Sequence, residues 1–315
     1  MPASLKDLRS RIKSIKNTQQ ITKAMKLVST AKFGKAQNAA LQSKPYFEHL
    51  ISLTHRLVTD DNRDNPLFKL NQGTSSLMVV FSSERGLCGG FNNNVVKSAW
   101  KIFLLNKEKG LNTHILVVGK KSIPILTRLR KAIGITSKTK FMDWDSLTQN
   151  QSLLISDPDT IFCVSNYFDK PNQNKAYSLF DFIQTLFLKH SLYSVDFVYN
   201  RFQSALTQIP TVLNVLPFKF EDDILNSNRV KNQYITEPTF SEVFETLVPR
   251  ALHAKVFQVL LDSVASEHGA RMTAMDSATR NAKDMEKKLQ LLYQRARQAA
   301  ITKELVEIIS GAEAL

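Results

Sequence analysis

A glycine-rich segment, Arg85-Gly86-Leu87-Cys88-Gly89-Gly90-Phe91-Asn92, has the residue types and spacing that come closest to a site of chemistry. It follows an apolar run at 77–81 and precedes a helical pattern, which is where phosphate-binding loops lie in α/β folds. The spacing matches neither GxGxxG nor GxxxxGKS/T, and no acidic residue is placed to bind a ribose. We therefore favour a tight strand-to-helix turn with positive φ angles, and a nucleotide-dependent enzyme stays as an alternative.

The positions of the cysteines and histidines indicate no second candidate site of chemistry. Cys88 lies in the turn and is a candidate for an activated thiol at a helix N-terminus, but no base is placed to serve it. Cys88 and Cys163 lack CxxC spacing, and the six histidines show no HExxH spacing. We expect no catalytic site, no cofactor and no metal in this chain.

The composition is that of a soluble protein with a proper core. The 315 residues are 43% hydrophobic and 22% charged, which suits one or two globular domains. No apolar run approaches the ~20 residues that a membrane-spanning helix requires. Two distant cysteines favour a reducing interior, and the basic, amphipathic start leaves a transit peptide as an alternative.

Positive charge is concentrated near the start of the chain. The net charge is +14, and residues 1–59 hold eleven basic and two acidic side chains. From Phe240 onward the two signs balance at ten each. A basic segment predicts an anionic partner, which can be nucleic acid, a membrane surface or an acidic protein. A nucleic-acid arm stays open as an alternative, although only Phe33 precedes Tyr46 as a stacking platform.

Both ends of the sequence predict unusually long helices. Between Thr239 and Ser310 the only glycine is Gly269, and no proline follows Pro249, which should kink the helix or mark its start. Small or apolar residues recur at the spacing of a coiled-coil seam: Met275, Ala278, Ala282, Met285, Leu289, Leu292, Ala296 and Ala299. Ser4 with Asp7, and Thr239 with Glu242, fit capping boxes.

The first helix should pair with the last. Its own seam runs through Leu5, Leu8, Ile12, Ile15, Thr22, Ser29, Phe33 and Ala36. A continuous last helix would be on the order of 100 Å long, and no globular domain of this size can contain it. We therefore predict an antiparallel coiled coil of the two terminal helices, in which part of the longer last helix extends alone.

The middle of the chain reads as a Rossmann-like α/β domain with a mostly parallel sheet. Buried strands are predicted at 77–81, 115–118, 195–202 and 211–216, with helices at 94–109, 122–131 and 176–190. The segment 150–172 adds either a further strand or a surface excursion. The predicted domains are an N-terminal shaft helix at 1–58, an α/β foot at 75–220 and a C-terminal shaft helix at 239–315.

Several long segments of mixed chemistry resemble the gamma subunit of bacterial F-type ATP synthases. They lie at 7–12, 17–25, 234–238, 266–275 and 296–312. The resemblance implies the central rotor shaft, which couples proton flow through a membrane ring to conformational changes at the catalytic beta subunits. It also implies a non-catalytic chain, peripheral on the cytoplasmic face of the bacterial plasma membrane. Its partners would be alpha and beta subunits at the head, with the epsilon subunit and the c-type ring at the foot.

The same resemblance assigns partner-binding residues. Those facing the alpha/beta ring would be Arg9, Lys23, Met25, Lys26, Arg271, Gln298 and Thr302, with the lysines and Arg9 supplying a positive face. Those facing other rotor subunits at the foot would be Arg85, Gly86, Leu87, Cys88, Gly89, Gly90, Tyr234 and Glu237.

Overall fold

The computed structural model describes residues 4–57, 65–144, 147, 151–166, 172–218, 237 and 239–313. In chain order the elements are α1 (Leu5–Arg56), β1 (Ser75–Phe81), α2 (Phe91–Glu108), β2 (Asn112–Val118), α3 (Ile123–Ala132), β3 (Lys138–Met142), α4 (Gln151–Ser156), β4 (Thr160–Val164), α5 (Gln173–Lys189), β5 (Ser194–Phe202), β6 (Gln208–Leu216) and α6 (Phe240–Glu313).

The hydroxyl groups of Ser4 and Thr239 cap the two terminal helices, which is one of the two bonds of each predicted capping box. The Asp7 amide donates to Ser4 Oγ at 3.2 Å, which starts the 52-residue α1. The Glu242 amide donates to Thr239 Oγ1 at 3.3 Å, just before the 74-residue α6. Pro249 lies inside α6, so it does not mark the start of that helix.

Helices α1 and α6 form the shaft and run antiparallel. Arg9 near the start of α1 donates to the hydroxyl of Tyr293, whereas Phe47 packs its ring 6.0 Å from that of Phe257. Residues later in α1 thus contact residues earlier in α6, which confirms the predicted antiparallel pairing. Every side chain from 301 to 312 is exposed, so the end of α6 extends alone as predicted.

The seam of α6 follows the prediction at some positions and departs from it at others. Buried or half-buried positions are Met275, Ala278, Ala282, Leu289 and Ala296. Met285 and Leu292 are instead 56% and 50% exposed, and Ala299 is also exposed, so their assignment to the seam was wrong. At the level of Leu292 the contact with α1 is made instead by the next residue, Tyr293, whose hydroxyl accepts from Arg9. Periodicity locates apolar residues but does not say which of two partners they face.

The foot is built on a six-stranded sheet in the order β3-β4-β2-β1-β5-β6. All neighbours pair in parallel except β5 with β6, which confirms the mostly parallel sheet. The segment 150–172 contributes β4, a fully buried strand between β3 and β2, so it is not a surface excursion. Strand β3 was not predicted, because an edge strand with one buried residue has no apolar run.

The two faces of the sheet are covered by different helices. Alternate residues such as Val80 and Val117 pack against α2 and α3. Their neighbours Val79 and Leu116 lie in the core cluster that includes α5 and the lower part of α6, for example Leu260. The shaft is therefore continuous with the core of the foot. No helix within the described ranges has the length and apolar character needed to span a membrane.

Candidate functional site at the junction of shaft and foot

The glycine-rich turn after β1 has the backbone that the sequence predicts. Leu87 and Gly89 have φ angles of 63° and 59°, in the left-handed region. Side chains on both flanks fix the turn: the Ser83 amide donates to Asn92 Oδ1 at 2.9 Å, and Asn92 Nδ2 donates to Ser83 Oγ at 2.8 Å. A Cβ on Gly89 would lie 3.6 Å from that of Ala274, so the turn packs directly on α6.

Cys88 occupies the inner side of this turn. Its thiol donates to Ser83 Oγ at 3.4 Å, and the residue packs with Phe91 and Ala270 in a small apolar cluster. Burial raises the pKa of the Cys88 thiol, which opposes formation of the reactive thiolate. The structural role that the sequence favours for Cys88 fits these contacts.

Arg271 joins the turn to the shaft. Its Nη2 donates to the carbonyl oxygen of Arg85 at 2.8 Å and to Glu267 Oε1 at 2.6 Å, and its Nε donates to the carbonyl oxygen of Gly86 at 3.3 Å. The residue is only 7% exposed. The resemblance assigned Arg271 to the residues that face the alpha/beta ring, whereas its guanidinium is bonded to groups of this chain.

Glu267 is the buried counter-ion of Arg271. Burial raises the pKa of Glu267 to about 7, although the Arg271 charge acts in the opposite direction. Its second oxygen, Oε2, has no hydrogen-bond partner among the described residues. The cost of removing this carboxylate from water therefore outweighs the attraction of its partner.

A cleft of about 500 Å³ lies beside this pair, between α1 and the carboxyl ends of β1, β2 and β4. Met25 and Lys32 line it from α1, and Glu84 and Lys120 line it from the foot, where they form an ion pair at 2.9 Å. The described part of the chain brings no three His, Cys, Asp or Glu side chains together to hold a metal ion.

The three basic residues of α1 that the resemblance assigns to the positive face differ in their contacts within the chain. Arg9 donates to the Tyr293 hydroxyl at 2.7 Å and lies over its ring, and Lys26 pairs with Asp276 across the shaft. Lys23 is exposed. Two of the three charges therefore also hold the two helices together.

Gln298 and Thr302 lie on α6 beyond Tyr293, the residue that contacts Arg9 near the start of α1, and both are exposed. Thr302 Oγ1 donates to the Gln298 carbonyl oxygen at 2.9 Å, so this hydroxyl already has an acceptor in its own helix. Glu237 is exposed, and Tyr234 lies outside the described residues.

Sequence reasoning missed a set of exposed apolar side chains on the shaft. They are Ile21, Leu27, Val28, Leu291, Leu305, Val306, Ile308 and Ile309. The signal was present, since these apolar residues lie outside both predicted seams, but periodicity was used only to find the face between the two helices. Exposed apolar area of this kind indicates a further partner.

Comparisons with known proteins agree along the whole chain. A family model described as ATP synthase matches residues 4–315. The ATP synthase gamma chain of Pelagibacter ubique is 38% identical and covers 99% of this chain and 100% of its own length. That of Fuscovulum blasticum is 39% identical, with 99% of each chain covered.

Solved structures show the same fold. A chain of the Euglena gracilis mitochondrial ATP synthase, in an assembly titled OSCP/F1/c-ring, has a TM-score of 0.65 at 18% identity and covers 98% of this chain and 94% of its own. A chain of the Tetrahymena thermophila central stalk/c-ring assembly has a TM-score of 0.57 at 20% identity, covering 82% and 99%. With sequence relatives that match from end to end, the chain belongs to the ATP synthase gamma-chain family.

Proposed function

We propose that this chain is the central rotor shaft of an F-type ATP synthase. It couples proton flow through the membrane ring to conformational changes at the catalytic beta subunits. The observation that carries the proposal is α6, a 74-residue helix with its lower part in the core of the foot and its last turns exposed. Such a helix can transmit rotation from one end to a partner at the other.

The free end of the shaft is assigned to the alpha and beta subunits of the head. A rotating shaft should not make many strong contacts with its bearing, because each must break at every step. The exposed apolar residues from Ile301 to Ile309 suit such a bearing. Lys23, Met25, Gln298 and Thr302 would add a few charged or polar contacts, while Arg9 and Lys26 would do so beside their roles within the shaft.

Arg271 has a different proposed role from the other head-facing residues. Because its guanidinium is bonded to the carbonyl groups of Arg85 and Gly86, it positions the turn against the shaft. Any effect of Arg271 on a partner subunit would then act through this turn and its exposed residue Leu87.

The foot is assigned to the epsilon subunit and the c-type ring. The turn at 85–90 packs on Ala274, which is roughly 50 Å along α6 from Phe240 at 1.5 Å per residue. We therefore assign this turn to epsilon rather than to the membrane ring. Glu237, at the start of α6, is nearer the end of the foot that would meet the ring.

We infer that catalysis belongs to the partner subunits and that this chain binds no cofactor. What supports this is the filling of the phosphate-loop position: Asn92 and Ser83 bond to each other there, and Arg271 takes two carbonyl groups of the turn. We place the complex on the cytoplasmic face of the bacterial plasma membrane, with this chain as a peripheral component.

Co-purification tests the proposal. Expression of the chain with alpha and beta subunits of a gamma-chain relative should yield a stable complex that hydrolyses ATP. Nuclease-sensitive binding to DNA that salt disrupts would instead support the nucleic-acid alternative. Nucleotide binding by the isolated chain would support the enzyme alternative, and either result without complex formation would overturn the rotor assignment.

A further inference from the structure

We propose that the turn between β5 and β6 is a second bracket on the shaft, meaning a loop of the foot that holds α6 in place; the glycine-rich turn is the first. With α1 as the third neighbour, α6 is then contacted from three sides at one level. This three-sided contact, over residues 266–276, is called the collar. The inference rests on the proposed rotor function, because it says how torque passes between foot and shaft. It assigns a positioning role to Gly269, Thr273 and Ala205.

The bracket consists of close contacts between α6 and the end of the β5–β6 hairpin. Ser266 Oγ donates to the carbonyl oxygen of Asn200 at 2.9 Å. Thr273 Oγ1 shares its single proton between the carbonyl oxygen of Ala205 at 3.1 Å and that of Gly269 in its own helix at 3.0 Å. Between them, a Cβ on Gly269 would lie 3.4 Å from both the Cα and the carbonyl oxygen of Ala205. A methyl group would only just fit here, so a larger side chain at position 269 would push against the backbone of the hairpin.

The three contacts lie on different sides of the helix. Successive residues are separated by about 100° around an α-helix, so Gly269 and Thr273 lie within about 40° of each other. Arg271, which holds the glycine-rich turn, is then about 160° from Gly269. Helix α1 lies on the remaining side: the hydroxyl of Thr279, just above this segment, is 2.8 Å from that of Thr22 on α1, and Thr279 is about 80° from both Gly269 and Arg271. A helix held from three directions resists both bending and rotation about its own axis.

The bracket reaches α1 as well as α6. The ring of Phe202, at the end of β5, lies 5.7 Å from that of Phe33 on α1 at a tilt of 58°. The hairpin therefore contacts both helices of the shaft at this level. Above the collar, α6 contacts α1 at Thr279, whose hydroxyl lies 2.8 Å from that of Thr22, and at Tyr293, whose hydroxyl accepts from Arg9.

This arrangement divides the shaft into a stiff part and a compliant part. Below and within the collar, α6 must turn with the foot, because any relative motion breaks contacts on at least one side. Above the collar, the two helices can twist against each other without disturbing the foot. Torque is transferred at the collar, and elastic twist is stored above it.

The first test measures the distance distribution between foot and shaft in the isolated full chain. Spin labels are placed on Lys107→Cys in the foot and Lys283→Cys above the collar; both native positions are exposed, whereas Cys88 and Cys163 are buried. Thr273→Val removes the donor at nearly constant shape, and Thr273→Ser keeps it as the matched control. We expect a distribution at least about 1.5-fold broader for Thr273→Val with Gly269→Val, a smaller broadening for Thr273→Val alone, and none for Thr273→Ser.

An unchanged width of the distance distribution in the folded Thr273→Val and Gly269→Val chains would overturn the collar, whatever the function of the protein.

The second test uses the head–rotor complex, with the head fixed and a rod attached to residue 107. The variance of the rod angle should rise at least about twofold in Thr273→Val with Gly269→Val, while ATP hydrolysis by the head persists. Equal variance in variant and wild type would also overturn the collar, whereas failure of the wild-type chain to assemble would count against the rotor function instead.

Discussion

The lower and upper parts of α6 are one continuous helix with opposite surroundings. From 251 to 271 every side chain is buried or half-buried, whereas from 301 to 312 every side chain is exposed. The difference lies in the neighbours: the sheet, α5 and α1 surround the lower part, and nothing in the described chain touches the last turns. Folding stability should therefore reside in the lower part and partner contact in the upper part.

A helix can serve both purposes because its backbone hydrogen bonds are satisfied internally. The upper turns keep their bonds in water, so they do not need a tertiary partner to remain helical once the lower turns are fixed. Variants in the two parts should separate stability from rotor function, and the expected effects fall in the following order.

The largest effect is expected at Arg271. Arg271→Met, measured above pH 7 where Glu267 is ionised, leaves that buried carboxylate without its ion pair and the Arg85 carbonyl without a donor. It should lower the free energy of unfolding by about 3–5 kcal/mol. Arg297→Met, on the exposed upper part, is the matched control and should change it by less than about 0.5 kcal/mol. Urea unfolding of both variants measures the difference, and equal effects would remove the contrast between the two parts.

A leucine pair extends the comparison to apolar packing. Leu260 is fully buried in the core of the foot and Leu292 is 50% exposed on the upper shaft. Leu260→Ala should lower the free energy of unfolding by about 2–5 kcal/mol, because it leaves a cavity. Leu292→Ala should cost less than about 0.5 kcal/mol. Thermal or urea unfolding of both variants measures these changes. A comparable decrease in the free energy of unfolding would mean that Leu292 lies on the seam between α1 and α6.

The pH dependence of stability should also come from the lower part. Since burial raises the pKa of Glu267 from 4.5 to about 7, the folded chain holds a proton there that the unfolded chain has released. The free energy of unfolding should therefore fall as the pH rises from about 4.5 to 7, by on the order of 2 kcal/mol. In Glu267→Gln this part of the decline should vanish, as unfolding curves at several pH values would show. A decline of the same size in the variant would assign it to other groups, such as Asp262, whose pKa burial raises to about 6.

On the upper part the expected effect is on turnover rather than stability. Gln298→Leu with Thr302→Val removes two exposed polar groups that we assign to one beta subunit, each worth about 1 kcal/mol. Steady-state ATP hydrolysis by the assembled complex should drop roughly tenfold, with an unchanged free energy of unfolding of the isolated chain. Wild-type turnover would place the residues that drive the beta subunits elsewhere on the shaft.

The smallest expected difference in folding stability is between charge reversals at two nearby lysines, Lys26 and Lys23. Lys26→Glu loses the ion pair with Asp276 and places two negative charges together, at a cost of about 1 kcal/mol in this partly exposed pair. Lys23→Glu changes only an exposed charge, so it should leave unfolding unchanged. Both reversals should weaken ATP-driven proton pumping if the basic face meets acidic loops of the head. Normal pumping by the Lys23→Glu complex would count against that electrostatic role.

Local signals explain how much of this fold the sequence could predict. Helix caps at Ser4 and Thr239, the long glycine-poor last helix and the apolar strands were all predictable, because caps and periodicity depend on residues a few positions apart. The family resemblance rested on segments within the same helices and on the link at 234–238 before the last one. The position of β3 at the edge of the sheet was not predictable, because its residues carry no local signal for a strand.

What only the tertiary structure decided is which way the side chains of the shaft face. The resemblance assigned Arg271 to the alpha/beta ring, yet it is bonded to the Arg85 carbonyl 186 positions away. Leu292 fits the seam by spacing, yet the polar contact of Arg9 with Tyr293 occupies that side of the helix. The same spacing of apolar residues suits a face that packs on a companion helix and a face that packs on a separate subunit. The sequence therefore determined that a helix forms, and the neighbouring elements determined which partner each face contacts.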